Sequence, residues 1–225
     1  KNVLTYLAAR IQSVSPSAQP IFLGAFAAAI LMTLLAPGGL ILGPALLAFM
    51  VMIYADPARE VPTGSGLVLS PIDGYITDTI DNVGLPLQFD QNKTQTDEFI
   101  KMGFRLSFRG CRTVRAPITG TVREILRLTP EPDGMDTLSA WTQMDSIALL
   151  ITDPNDREFA LVLSGVLIPE QIRVTVKVGD SVTAGDRLGI VLFFATGALY
   201  VPNTTPLLRT RSHHLMAGET VVQAA

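Results

Sequence analysis

Two long apolar runs stand near the start of the chain, at residues 20–36 ("PIFLGAFAAAILMTLLA") and 40–55 ("LILGPALLAFMVMIYA"), and neither contains a charged residue. Pro37-Gly38-Gly39 between them is turn chemistry, so the pair predicts a helical hairpin. A run of about 16 residues reaches about 24 Å as a helix, somewhat short of the ~20 residues of a comfortable membrane crossing. A thin transmembrane hairpin, a re-entrant hairpin and a fully buried soluble helix pair are all compatible with this pattern. Ahead of the runs, Val3, Leu4, Leu7, Ala8 and Ile11 recur at helical spacing, with Lys1 and Arg10 as the only charges. Residues 1–19 therefore predict a short amphipathic helix lying on a surface, broken by Ser15-Pro16-Ser17.

After Asp56-Pro57 the pattern changes to short β-type runs bounded by Gly, Pro, Asp and Asn: "GLVLSPIDGYITDTI", "GFRLSFRG", "GTVREILRL", "SIALLITD", "EFALVLSGVL", "IRVTVKVGD", "LGIVLFF", "ALYVP" and "TVVQ". This spacing predicts an all-β barrel or sandwich rather than alternating βα units. Residues 81–98 and 129–144 are polar or turn-rich and read as loops. The expected organisation is an amphipathic segment (1–19), a membrane hairpin (20–55) and a β domain (56–225).

The β region carries weak internal repetition. "SPIDGYI" (70–76) and "APITGTV" (116–122) share Pro-x-x-Gly-x-(β-branched), and "VKVGDSVTAGDRLGIV" (176–191) is partly echoed by "LMAGETVV" (215–222). The pattern resembles barrel-sandwich hybrid folds, which include biotinyl and lipoyl carrier domains. Those carriers modify a hairpin-tip lysine flanked by methionine or acidic residues; Lys93 and Lys177 lack such flanks, Lys101 has Met102 on one side only, and Lys177 reads as a strand position.

Composition narrows the function classes. A hydrophobic content of 48% and a mean hydropathy of +0.38 point to contact with lipid, and a net charge of −3 argues against nucleic acid. Cys111 is the only cysteine, so neither an intrachain disulfide nor a cysteine zinc cluster can form. The two histidines, His213 and His214, are adjacent and read as part of a polar turn, which leaves a histidine metal centre almost nothing to draw on. Lys1, Arg10 and Arg59 flank the hairpin on one side, which by the positive-inside rule predicts a cytoplasmic face.

The order "YADPAREVP…GLVLSPIDGYI…VRAPITGTVREI…GDRLGIVLF…YVP…AGETVV" resembles the short bacterial form of phosphatidylserine decarboxylase over most of the chain. The resemblance implies a proenzyme that cuts itself at a Gly-Ser bond, converting the serine into an N-terminal pyruvoyl group. That group takes the phosphatidylserine amine as a Schiff base and accepts the electrons released as CO2 leaves, giving phosphatidylethanolamine. Cleavage in such enzymes follows acyl-transfer logic, with Ser as nucleophile, His as base and Asp as orienting partner.

Carried over position by position, the family's aspartate falls on Asp73, which is retained. Its histidine falls on Arg112, its Gly-Ser pair on Phe194-Ala195, and an aspartate present in many members on Gly110. Alanine has no hydroxyl to attack with, and an arginine guanidinium does not accept a proton near neutrality. The expectation is therefore a catalytically degenerate member with no pyruvoyl cofactor, in which Asp73 also reads as ordinary Asp-Gly turn chemistry. Such a protein would sit in the bacterial inner membrane with its β domain on the cytoplasmic side. It would bind membrane phospholipid, with Arg112 and Arg115 as headgroup contacts among Arg105, Arg109, Arg112 and Arg115, or serve as an accessory subunit of an inner-membrane protein complex. The alternative is an active decarboxylase that processes itself atypically, at Thr196 or through Ser164 or Ser212. Cys111 beside Arg112 reads either as a buried small side chain or as a thiol with a lowered pKa.

Overall fold

The computed structural model describes residues 19–35, 39–64, 66–85, 89, 99–108, 110–128, 146–165, 171–203, 207–208 and 214–224. Two helices, α1 (Gln19–Leu35) and α2 (Gly39–Tyr54), pack against one another. Small residues allow the close approach. A Cβ at Gly43 would lie 2.0 Å from Thr33 Oγ1 and 2.7 Å from the Ala29 carbonyl oxygen, and the Thr33 hydroxyl donates back to that same carbonyl at 2.7 Å. Backbone contact over Gly, Ala and Thr is how helices associate in a lipid phase. Apolar side chains face outward around the hairpin rather than forming one buried stripe. Leu34, Leu35, Leu40 and Ile41 at its tip are each at least 73% exposed. Among the described residues no helix is long and apolar enough to cross a membrane.

The foot of α2 is tied to the β region. The Tyr54 hydroxyl donates to the Leu192 carbonyl at 2.7 Å, and Tyr54 is buried with Ile190 and Leu192 against Met50.

Among the described residues thirteen strands follow: β1 (Leu67–Leu69), β2 (Gly74–Val83), β3 (Phe99–Leu106), β4 (Thr113–Arg115), β5 (Gly120–Leu128), β6 (Ser146–Thr152), β7 (Glu158–Gly165), β8 (Ile172–Val174), β9 (Ser181–Val182), β10 (Arg187–Val191), β11 (Ala195–Pro202), β12 (His214–Leu215) and β13 (Val221–Ala224). A curled eight-stranded sheet runs β12-β2-β3-β11-β7-β6-β5-β9, with a three-stranded sheet β4-β10-β8 and the pair β1-β13. The described pairings are antiparallel. Alternation along β3, β11 and β7 sends Phe104, Ala195, Leu199, Leu161 and Leu163 into the main core. A smaller apolar cluster on the other face of the large sheet gathers Phe89, Phe99, Ala198 and Tyr200. The mainly β class is therefore confirmed.

The sequence repeats map onto an internal two-fold arrangement. Leu69 donates its amide to the Pro117 carbonyl at 2.7 Å, and Arg115 donates to the Pro71 carbonyl at 2.9 Å; each residue in one bond lies 46 positions from its counterpart in the other. Gly74 and Gly120 occupy matching sites, facing Leu215 and Val182. The two Ala-Gly-acid turns are also equivalent. Gly185 donates to Ala116 and Gly218 to Ser70, with φ of +89° and +74°, a region that strongly favours glycine.

Several expectations are corrected. β2 continues to Val83, into the stretch expected as loop, because it stays paired with Phe99 of β3. The run 172–180 is strand only over Ile172–Val174; it then turns at Gly179 (φ +93°), so Lys177 precedes a turn instead of occupying a strand. β4, β9 and β12 are short strands with no visible periodicity, and β12 takes in His214, which was expected in a turn. The 1–18 segment, Pro37-Gly38, most of the 81–98 loop, the 129–144 loop, Lys93, Arg109, Ser212 and His213 lie outside the described residues.

Candidate functional site

Asp73 sits on the turn that starts β2 and is buried. Its Oδ1 accepts the Ala217 amide at 2.7 Å, and its Oδ2 accepts the Cys111 amide at 2.9 Å and Arg59 Nη2 at 2.8 Å. The internal two-fold separates these roles. Thr119, 46 positions on, accepts the Ala184 amide at 3.0 Å, so the Ala217 bond is turn capping performed in both halves. The bonds to Cys111 and Arg59 have no described counterpart and belong to Asp73 alone.

The Cys111 bond draws Gly110 and Cys111 onto Asp73. Gly110 makes this possible: a Cβ there would stand 2.7 Å from Asp73 Cβ and 2.8 Å from its carbonyl oxygen. An aspartate at this position, as the resemblance implies for many members, would push the loop away.

Arg112 follows directly and is only 3% exposed. Nη1 donates to the Phe193 carbonyl at 2.8 Å and Nη2 to the Phe108 carbonyl at 3.1 Å. The guanidinium carbon lies 5.7 Å from the centre of the Phe194 ring. Burial lowers the Arg112 pKa from the ordinary arginine value, while Tyr54 and Cys111 pull the other way. Phe194 stacks on Phe108 at 5.9 Å, and Phe108 meets Phe49 of α2 at 6.5 Å. Ala195 is 3% exposed and contributes its methyl to the main core. Thr196 takes the opposite face of β11, level with Ser164 and Arg105.

The structure thus brings the three sequence-derived positions into one neighbourhood. Asp73 holds the amide before Arg112, and Arg112 holds the carbonyl two residues before Ala195. No described hydrogen bond joins Asp73 to Arg112; the cation on Asp73 is Arg59.

A second ionic centre lies alongside. Asp56 is buried and accepts Arg115 Nη2 at 2.7 Å, and it pairs with Arg187 Nε through Oδ2. Arg115 Nη1 donates to the Gly185 carbonyl at 2.8 Å, so this arginine is spent on the fold's inner turn. The Cys111 thiol approaches Asp56 Oδ1 at 3.5 Å. Burial pushes the thiol pKa up, and the Asp56 charge adds to it, so of the two readings of Cys111 the buried small side chain holds. A groove of about 590 Å³ opens here, lined in part by Arg59, Arg115, Arg187, Asp180 and Asp186; Asp73, Arg112 and Ala195 do not line it.

Asp56, Arg59, Arg187 and Phe108 were not expected as site residues. Asp56 and Arg59 were visible as an Asp-Pro-x-Arg stretch, but nothing local in sequence links them to Arg115 and Asp73, which lie 59 and 14 positions away.

The family model for phosphatidylserine decarboxylase matches residues 46–223. A phosphatidylserine decarboxylase proenzyme of Granulibacter bethesdensis is 30% identical over 207 residues, covering 92% of this chain and 83% of the relative. The proenzyme of Nitrobacter winogradskyi is 28% identical over 216 residues (95% and 85%). That of Anaplasma phagocytophilum is 30% identical over 171 (75% and 72%).

Proposed function

The chain belongs to the phosphatidylserine decarboxylase family, and we propose that within it this protein is a membrane-anchored, non-catalytic member that binds phospholipid or serves a larger inner-membrane assembly. The observation that carries the reading is the Arg112–Phe193–Ala195 neighbourhood. Where self-cleavage needs a proton acceptor there is a cation, with both Nη atoms committed to backbone carbonyls. Where it needs an attacking hydroxyl there is a core methyl. These residues do not fit a pyruvoyl group, because Ala195 has no oxygen from which the group can form.

The apolar hairpin supports membrane anchoring: its exposed side chains have no protein surface to cover them among the described residues. Of the charges that favoured a cytoplasmic β domain, Arg59 is paired with Asp73, so the orientation rests on Lys1 and Arg10. Headgroup recognition by Arg112 and Arg115 would require both to surrender carbonyl or carboxylate partners. Exposed arginines on the large sheet suit that role better. The rival reading, self-processing at Thr196 or through Ser164, gains no support from position. Thr196 lies on the face of β11 opposite Ala195, and Ser164 shares its hydroxyl with Ser146 at 2.6 Å.

Purified protein is expected to give one intact mass, with no pyruvoyl or ketobutyryl terminus, and to leave phosphatidylserine unconverted. Two fragments meeting at residues 194–196, or release of CO2 from phosphatidylserine, would overturn the reading.

A further inference from the structure

One register row crosses the large sheet from edge to centre. Tyr75 faces His214 and Arg105, Arg105 faces Thr196, Thr196 faces Ser164, and Ser164 faces Ser146. Directly opposed residues share a face. The adjacent residues Ile76, Phe104, Ala195 and Leu163 fill the core, so this row points out of it. Ser146 and Ser164 are buried and Thr196 is half-buried, whereas Arg105, Tyr75 and His214 are exposed. The Tyr75 ring meets His214 edge-on at 5.1 Å.

Strands lie ~4.8 Å apart, so Thr196, Arg105, Tyr75 and His214 span about 14 Å. A guanidinium here stands between two hydroxyl-bearing neighbours, with an imidazole at the outer end. Among the described residues no carboxylate pairs with Arg105. The acid nearest by register on this face is Asp78, one row away opposite Gly103, and it accepts the Thr77 hydroxyl at 2.5 Å.

We propose that the Thr196–Arg105–Tyr75–His214 row binds a phosphate ester. The planar guanidinium offers two parallel N–H groups to phosphate oxygens, and the flanking hydroxyls supply donors to the oxygens it leaves. Thr196 follows Phe193 and Phe194 in the chain by three and two residues, both of these are exposed, and Phe194 stacks on Phe108, which meets Phe49 of α2. This places the row at the hairpin end of the sheet. The lipid source of the phosphate rests on the membrane reading above; phosphate binding by the row does not.

The test uses the full chain with two probes: flotation with phosphatidylcholine vesicles with and without phosphatidylglycerol, and titration with glycerol 3-phosphate. Arg105→Ala is expected to weaken binding about ten-fold or more, as loss of a charge-assisted contact does, and Thr196→Val to weaken it less. Arg123→Ala, at an exposed position of β5, controls for net charge and should leave binding unchanged. A loss confined to vesicles identifies a lipid phosphate; a loss with glycerol 3-phosphate as well identifies a site for soluble esters. If the wild type binds glycerol 3-phosphate but not vesicles, the membrane reading fails while the row stands. Binding of neither probe, an Arg105→Ala variant of unchanged affinity and melting temperature, or equal losses in Arg105→Ala and Arg123→Ala would overturn the proposal.

Discussion

Arg112 donates a 2.8 Å hydrogen bond to the carbonyl of Phe193, immediately before the Phe194-Ala195 pair. The position that the resemblance assigns to the family's base is here a structural tie between Phe108 and the entry to β11. Arg112→Ala removes two backbone ties and the ring contact, so a loss of about 2–3 kcal/mol is expected. Arg112→Met retains packing on Phe194 and removes a buried charge, and should cost less. Urea unfolding with an unchanged m-value would measure both. Equal losses in the two variants would mean that packing contributes nothing.

Asp73 and Thr119 give a second comparison. Both cap an Ala-Gly turn, at 2.7 and 3.0 Å, but Asp73 also neutralises Arg59, whose side chain is 5% exposed. Thr119→Ala should cost about 1 kcal/mol, the ordinary value of a lost cap-type bond. Asp73→Asn leaves Arg59 without its nearest carboxylate and should cost about 3 kcal/mol, as breaking a buried ion pair does. Double substitution with Arg59→Met should recover part of that loss. Failure to recover would place the cost in the Cys111 bond instead.

Asp153 sets an acid limit on stability. Burial pushes its carboxyl pKa up, but the amides of Arg157 and Asn155 and the Arg157 guanidinium outweigh that, and the net shift is downward. A carboxylate depressed in the folded state contributes stability above the unfolded value of ~3.9, and that contribution is lost as pH falls through the folded value. Asp153→Asn should therefore lower the melting temperature at pH 7 while flattening its fall below about pH 4. Parallel curves for the two proteins would remove Asp153 from the acid transition.

The hairpin and most long strands were legible in sequence because charge-free runs and alternation are local signals. α1 and α2 fall within one residue of the apolar runs, and "GTVREILRL" is β5 to the residue. The repeats were visible as well, though not that they interlock, since Leu69–Pro117 and Arg115–Pro71 join distant segments. The short strands β4, β9 and β12 are held by register and turns rather than by periodicity. At the site, Asp73, Arg112 and Ala195 were reached through the family resemblance, carried over position by position. The partners that define what they do, Arg59, Phe108 and Phe193, come from loops whose composition carries no sign of the contact.

The last prediction concerns building self-cleavage at the positions that the resemblance assigns to it. Phe194→Gly, Ala195→Ser and Arg112→His together are expected to recover slow self-cleavage, and Ala195→Ser alone is not. A serine needs a base to become a useful nucleophile, and general-base assistance contributes ~10²–10⁴-fold. In the single variant the neighbouring group is still a guanidinium bonded to Phe193, which cannot take the proton. Asp73 already anchors the amide of residue 111, so a histidine at 112 starts from a backbone fixed against the acid. Phe194→Gly clears the ring that stacks on Phe108 and frees the backbone at the scissile bond. The triple variant also loses the Arg112 ties, so its melting temperature must be checked before cleavage is scored. Gel mobility and terminal sequencing over several days decide the outcome. Cleavage by Ala195→Ser alone would show that the base lies elsewhere than position 112, and a folded but uncleaved triple variant would show that the neighbourhood lacks more than these three groups.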